Sequence, residues 1–239
     1  MIFFLIPVYN EEANIPNLFS ELSLLDLKDQ TFFVFSDDGS TDKSKETIGK
    51  YFAGTSHVIL GDGINRGPGA AFNTGFEWIL LQSKSPDDCV VTLEADNTSD
   101  LSILPVMLML SKANYDLVLA SVYAQGGGFE KTSFFRKFVS AIANFLFRFL
   151  FNVQVLTLSS FYRVYSISVL KKVKEKYGTL AAEPGFICML EILIKCLRVD
   201  AKVIEVPMKL HSSRRQGASK MKVFKTTMQY FRFLLMNRK

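Results

Sequence analysis

Histidine and cysteine are scarce in this chain, 2 and 3 among 239 residues. His57 and His211 stand far apart in sequence, which argues against a histidine-built metal centre and against a Ser-His-Asp triad. Cys89, Cys188 and Cys196 are odd in number and have no CxxC spacing, so they read as reduced, small core side chains of a cytosolic protein. No stretch reaches the roughly 18 uncharged apolar residues that call for a membrane-crossing helix. The longest apolar segment, 138–158, is interrupted by Arg148 and several polar residues. The amino terminus has no basic region, and its apolar run stops at Pro7, too soon for a signal peptide. Carboxylates are missing from two stretches, 131–174 and 206–239, which hold 8 and 9 Lys and Arg residues.

What is present is unevenly distributed. Residues 1–130 carry 7 Lys and Arg against 18 Asp and Glu, a net of −11, whereas 131–239 carry 21 against 5, a net of +16. A basic half of this kind, interleaved with Phe and Leu, points to an anionic partner such as phosphate, nucleic acid or anionic lipid. A plain solvated basic surface is the alternative. The acidic first half argues against nucleic acid. The 22 phenylalanines require either a large core or an apolar surface.

The first half reads as repeated strand–turn–helix units. Strand 2–6 leads into a helix over about 12–25, and strand 32–36 into one over about 41–52. Strand 57–60 precedes the glycine-rich loop 61–69 and a helix to about Leu81, strand 89–94 precedes helix 102–112, and strand 116–120 closes the series. This is an α/β pattern, a doubly wound, mostly parallel sheet with right-handed crossovers. Gly126-Gly127-Gly128 reads as a flexible break. Beyond it a helix is expected over 133–152, where Arg136, Ser140, Asn144, Arg148 and Asn152 recur every fourth residue on an otherwise apolar surface. Such a stripe suits an interfacial helix whose arginines face anions; packing within a dimer is the alternative. A last amphipathic helix is expected over 222–237.

Three acidic clusters follow apolar runs: Pro7-Val8-Tyr9-Asn10-Glu11-Glu12, Asp37-Asp38-Gly39-Ser40-Thr41-Asp42 and Glu94-Ala95-Asp96-Asn97. Runs without alternation suit strands buried on both faces, and the carboxyl ends of such strands are where open α/β sheets bind ligands. Crowded carboxylates there call for a positive partner, and a divalent cation carrying a diphosphate is a natural one. Gly63-x-x-x-Gly67-x-Gly69 fits a dinucleotide-binding spacing, but it follows the third strand rather than the first. A Tyr-x-x-x-Lys pair occurs nowhere, so the dehydrogenase reading is set aside.

Taken with NRGPGAAFNTG at 65–75, EADNTS at 94–99, SSFYRVY at 159–165, RRQGASK at 214–220 and the striped helix, the clusters resemble in order and spacing the family 2 glycosyltransferases of the nucleotide-diphospho-sugar (GT-A) fold, polyprenyl-phosphate sugar transferases in particular. The resemblance covers about 1–222. It implies one glycosyltransferase domain there, with a donor-binding half (1–125) and an acceptor-binding half (126–222), followed by the helix of 223–239. It implies that Pro7, Tyr9 and Glu11 line a nucleobase pocket, with Asp37 and Asp38 near base and ribose. Asp37-Asp38-Gly39-Ser40 also reads as a turn with a helix cap. Gly67 and Gly69 would let backbone approach the donor. Asp96, with Glu94 where the family carries the first Asp of Asp-x-Asp, would bind Mg²⁺ or Mn²⁺. Arg214 and Lys220 would hold phosphate, and Arg136, Arg148 and Arg163 would serve the acceptor. The sequence departs from the pattern at Glu94, at Thr157 and at Phe161, which stand for the family's aspartates and glycine.

A sugar hydroxyl must lose a proton on attack and needs a positioned base, whereas a polyprenyl phosphate is already anionic. With five carboxylates in the second half, the lipid phosphate is the favoured acceptor. The expected activity is inverting, metal-dependent transfer of a sugar from a UDP- or GDP-linked donor, by a protein peripherally bound at the cytoplasmic face of a membrane, with no nucleic-acid partner and homo-oligomerisation open. Two alternatives stand: a hydroxyl acceptor with Glu183 or Glu191 as base, and a nucleotide-sugar-binding subunit without activity.

Overall fold

The computed structural model describes residues 1–25, 27, 30–130 and 154–217, together with 148, 229, 232 and 233. The apolar runs of the first half become parallel strands: β1 (Ile2–Val8), β2 (Thr31–Asp37), β3 (His57–Leu60), β4 (Cys89–Thr92) and β5 (Leu117–Ser121). Between them lie helices α1 (Ile15–Ser23), α2 (Ser44–Tyr51), α3 (Pro68–Gln82) and α4 (Leu104–Lys112), the last preceded by one 3₁₀ turn over Leu101–Ile103. Proline stands in the first turn of α1, α3 and α4, where its missing N–H costs nothing.

Strand β5 ends the first-half series, and the sheet continues with strands of the second half, which the sequence reading did not place. β6 (Gly128–Glu130), β7 (Arg163–Ser166), α5 (Ile167–Tyr177), α6 (Cys188–Leu197), β8 (Val203–Pro207) and β9 (Lys209–His211) follow. The main sheet runs β3-β2-β1-β4-β7-β5-β8. Strand β7 lies antiparallel between β4 and β5, and β8 extends the parallel edge beyond β5. Both halves of the sequence therefore build one sheet. Gly126-Gly127-Gly128 is a turn rather than a break. Gly127 N–H donates to the carbonyl of Ala124, Gly128 N–H to that of Met208, and a Cβ on Gly127 would stand 2.5 Å from the carbonyl oxygen of Ser121. The turn leads into β6, which pairs in parallel with β9.

The phenylalanines go into the sheet's two faces. On one, Phe3, Leu5 and Val34 pack against Phe72, Phe76 and Ile79 of α3 and against α5 and α6. On the other, Ile2, Phe4 and Ile6 meet α1, α2 and α4. There Phe33, Phe35 and Phe52 stack edge-on at 4.7–5.2 Å between centroids, the geometry aromatic rings prefer. Of the helix expected over 222–237, Gln229, Arg232 and Phe233 are described and helical, and Phe233 is buried with the α3–α6 core. Of the striped helix, Arg148 alone is described; Arg136 and Lys220 lie outside the described residues. No helix among the described residues is long and apolar enough to cross a membrane.

The order β2-β1-β4 has the chief consequence for function. Strand β1 takes β2 on one side and β4 on the other. The three acidic segments thus emerge side by side, at the point where strand order reverses. The N-terminus of α3 is fixed nearby by the 183–185 segment: Gly69 N–H donates to the carbonyl of Pro184 at 2.9 Å, and a Cβ on Gly69 would lie 1.8 Å from the carbonyl oxygen of Glu183. Gly69→Ala therefore displaces backbone and is expected to cost about 1–3 kcal/mol. Gly49, inside α2 with open space around it, behaves oppositely: Gly49→Ala is expected to stabilise by about 0.5–1 kcal/mol. Urea midpoints of the two variants check both signs.

Candidate active site

The site is assembled from five loops that hold one another through side-chain hydrogen bonds. Asn10 adopts a left-handed conformation (φ 53°) after β1, which asparagine tolerates. Its Oδ1 accepts the N–H groups of Thr41 (2.7 Å) and Asp42 (3.3 Å), while its own N–H donates to Ser40 Oγ. Glu11 N–H donates to Ser44 Oγ at 2.8 Å. The residues expected to begin α2 at Thr41 are instead spent on this interlock, and the helix starts at Ser44.

Asp37 and Asp38 differ in environment. Asp37 is buried, takes Nζ of Lys45 at 3.1 Å, and accepts from Gly39 and Ser40 N–H in its own turn. Asp38 accepts the N–H groups of Arg66 (2.7 Å) and Gly67 (2.9 Å), which ties the glycine-rich loop to β2. Burial still raises its carboxyl above the ordinary value, against those bonds. What approaches Gly67 and Gly69 from the other side is the backbone of Pro184 and Glu183. Pro7, within β1, and Tyr9 and Glu11, just beyond it, are partly buried at its carboxyl end.

Asp96 accepts from four donor groups. Its Oδ1 accepts from Thr98 N–H (3.1 Å) and Oγ1 (2.7 Å), and its Oδ2 accepts from Arg215 Nε (2.7 Å) and an Arg215 terminal nitrogen. Arg215 belongs to the segment 212–217, which crosses the site from β9. Asn14, 2% exposed, holds that segment: its Oδ1 accepts Gln216 N–H at 2.8 Å and its Nδ2 donates to Gln216 O at 3.0 Å. Asn14 Nδ2 also donates to Glu11, and Asn97 Nδ2 donates to Asn14 O. His211 N–H meets the carbonyl of Thr98, and its ring reaches Glu130 at 2.8 Å. Arg214, the expected phosphate ligand, turns instead toward Glu21 at 3.5 Å and is substantially exposed.

Glu94 lies partly buried beside Asp96. Burial, and then the negative charges of Asp96 and Glu11, push its carboxyl up to about 8 despite the opposing pull of Arg215. Among the described residues no three His, Cys, Asp or Glu side chains stand together as a complete metal cage. Two hard carboxylates that share an ion with phosphate oxygens suit Mg²⁺ or Mn²⁺, which bind through few protein ligands. The buried Oδ1 of Asn97 has no hydrogen-bond donor and adds an acceptor beside them.

On the acceptor side, Arg163 is fully buried, not surface-facing. Its guanidinium donates to the carbonyls of Ser160, Leu158 and Met189 at 2.7–2.8 Å and to Tyr165 Oη at 3.2 Å. It shapes the 157–161 loop from within. Phe161 fills the same region, packing on Phe72 and Phe186 at 5.1 and 5.6 Å. Thr157 donates its N–H to Glu205 and shares a hydroxyl contact with Ser121. Among the described residues Arg148 makes one long contact, to the carbonyl of Gln154 at 3.5 Å, and its buried Nε has no acceptor. Glu191 takes Lys195 at 2.7 Å and the N–H groups of Ala182 and Glu183.

The functional reading of Asn14, Asn97, Thr98 and Arg215 is absent from the sequence argument. Arg215 is one residue from the arginine chosen by motif spacing, and only the tertiary register decides between neighbours in a loop. Asn14 carries no local signal.

The charge on Glu94 has a thermodynamic consequence. Its folded value of about 8 exceeds the ordinary 4.5, so between those values the unfolded chain has released a proton that the folded chain retains. The folded state therefore loses stability as pH rises through that window. Glu94→Gln removes the loss. Without divalent ions, its stability advantage over the native chain is expected to grow from pH 5 to pH 8, reaching about 1 kcal/mol or more, as read by denaturant midpoints. A constant offset would contradict the assignment.

Comparisons with known proteins agree with this geometry. The family described as Glycosyl transferase family 2 matches residues 3–174. Polyprenol monophosphomannose synthase from Mycolicibacterium smegmatis is 27% identical over 219 residues, covering 91% of this chain and 79% of the relative. Dolichol-phosphate mannosyltransferase from Pyrococcus furiosus is 28% identical over 235 residues, 96% of this chain and 61% of that longer protein. An undecaprenyl-phosphate 4-deoxy-4-formamido-L-arabinose transferase from Pseudomonas aeruginosa is 32% identical over 143 residues, 58% of this chain and 39% of the relative. Among solved structures, glucosyl-3-phosphoglycerate synthase from Mycobacterium tuberculosis, in complex with Mn²⁺, UDP-glucose and glycerol 3-phosphate, superposes with a TM-score of 0.69 at 18% identity, over 100% of this chain and 79% of that one. That likeness establishes the GT-A fold. With the family match spanning most of the sequence, the chain belongs to glycosyl transferase family 2.

Proposed function

We propose that this glycosyltransferase moves one sugar from a nucleoside diphosphate, UDP- or GDP-linked, to a polyprenyl phosphate, with inversion at the anomeric carbon. The observation that carries the donor reading is the Glu11–Glu94–Asp96 group at the β2-β1-β4 switch point, crossed by the segment that carries Arg215. The names of the relatives support the lipid acceptor, as does the basic second half. Glu191, one candidate base for a hydroxyl acceptor, is already committed to Lys195 and two backbone N–H groups, which weighs against that alternative.

In this reading Pro7, Tyr9 and Glu11 face the nucleobase, and Asp37 and Asp38 hold the loops that receive base and ribose. Gly67 and Gly69 keep the start of α3 close to the donor, where N–H groups suit phosphate. Asp96 and Glu94 would hold a divalent cation, which would supply the positive charge that a departing nucleoside diphosphate needs. Lys220 takes phosphate, as does Arg214 once it leaves Glu21; Arg136 and Arg148 serve the lipid's phosphate, and Arg163 shapes the 157–161 loop from within. One phosphate oxygen attacks the anomeric carbon as the bond to the diphosphate breaks. The attacking oxygen is already anionic, so no protein base is required. The domain spans 1–222, and its basic, phenylalanine-rich segments, together with the helix of 223–239, hold the chain to the cytoplasmic face of a membrane.

The test is transfer of radiolabelled sugar into organic-extractable product, using Mn²⁺, UDP- and GDP-sugars and a short polyprenyl phosphate. Label that depends on the lipid and falls by about 10²–10³ in Asp96→Asn is the expected result. Donor hydrolysis or binding without organic label would transfer the reading to a hydroxyl acceptor. Absence of donor binding would make the chain a subunit without this activity.

A further inference from the structure

Asp96 is the side chain a divalent cation needs first, and four hydrogen bonds already occupy it. Thr98 supplies two to Oδ1 and Arg215 supplies two to Oδ2, which is the full accepting capacity of a carboxylate. A metal ion cannot take Oδ2 while the guanidinium stays, because two positive charges at contact distance in a partly buried site repel strongly. The main chain around Arg215 is fixed on either side. His211 N–H meets Thr98 O at 2.9 Å, Arg214 N–H meets His211 O at 3.0 Å, and Asn14 grips both the N–H and the carbonyl of Gln216. The side chain of Arg215, 25% exposed, is what can turn. The neighbouring Arg214 points away, toward Glu21.

We infer that Arg215 is a resident counter-cation of the donor site: it holds Asp96 until a divalent ion arrives with a nucleoside diphosphate, yields that oxygen, and pairs with the phosphates so delivered. Asn14 is the positioning residue that keeps Arg215 within reach of both partners. Arginine suits the exchange because its planar fork binds carboxylate and phosphate equally well. The inference rests on the donor-site reading above and is independent of the acceptor.

Mn²⁺ binding to the full chain, followed by the electron paramagnetic resonance signal of the free ion, tests it. Arg215→Gln is expected to bind Mn²⁺ alone about fivefold tighter or more. In the presence of UDP or GDP, the same variant is expected to bind Mn²⁺ more weakly than the native chain. Arg215→Lys, which retains the charge, should stay near the native affinity for Mn²⁺ alone. A residue with only a structural role would weaken both measurements, so opposite signs are the signature. If Arg215→Gln fails to fold, Asn14→Ala, which releases the segment, is expected to tighten Mn²⁺ binding in the same sense. Unchanged or weakened binding of Mn²⁺ alone overturns the inference, as does absence of Mn²⁺ binding to both proteins. Failure of the donor reading is told apart, because it appears as indifference of the native chain to both nucleotides.

Discussion

Five carboxylates, Glu11, Asp37, Asp38, Glu94 and Asp96, converge at the carboxyl edge of three adjacent strands, and the surrounding structure exists to keep them there. Each is answered differently. Asp37 has Lys45 and its own turn, Asp38 has the N–H groups of the glycine-rich loop, and Asp96 has Thr98 and Arg215. These answers are also the ties between loops, so charge compensation and loop order are one device. Glu94 lies beside Asp96, where burial first, and then the charges of Asp96 and Glu11, hold its carboxyl above the ordinary value. A site built this way is prepared for positive charge before any ligand enters, which is the electrostatic condition for receiving a cation with a diphosphate.

The second half supplies the frame that holds the edge in place. Glu191 braces the 182–183 backbone, which closes over Gly67 and Gly69 and so fixes the start of α3. Arg163, inserted as part of the antiparallel strand β7, spends its donors on three carbonyls and a tyrosine hydroxyl. A buried arginine is tolerable only with such satisfaction. Thr157 and Phe161, departures from the family pattern, sit in a packed region bound to Glu205, Ser121, Phe72 and Phe186.

Much of the first half was legible because its signals are local. Unalternating Val, Ile and Phe runs give buried parallel strands, and acidic-glycine segments after them give loops at one sheet edge. The strand order that brings 9–12, 37–42 and 94–97 together follows from the doubly wound pattern. The second half was read less well. Strand β7 enters antiparallel between β4 and β5, a pairing of residues 163–166 with 89–92 and 117–119 that no local pattern encodes. The triple glycine suggests a break from sequence alone because glycine permits many conformations. Its ordered turn comes from hydrogen bonds of Gly127 and Gly128 N–H to the carbonyls of Ala124 and Met208. Within the site, carboxylates were found by their clustering, whereas Asn14 and Arg215 act through partners some 200 and 119 positions away. A motif can nominate the loop RRQGASK; only the fold selects which arginine meets Asp96.

The central claim is that Asp96 and Glu94 form a cation–diphosphate site now held by Arg215. The most direct measurement is a crystal structure with Mn²⁺ and UDP or GDP, in which anomalous scattering locates the metal. The account predicts a manganese ion between the Asp96 carboxylate and the diphosphate, with the Arg215 guanidinium moved from Asp96 onto phosphate. A nucleotide bound with the metal elsewhere, or with Arg215 still on Asp96, would contradict it.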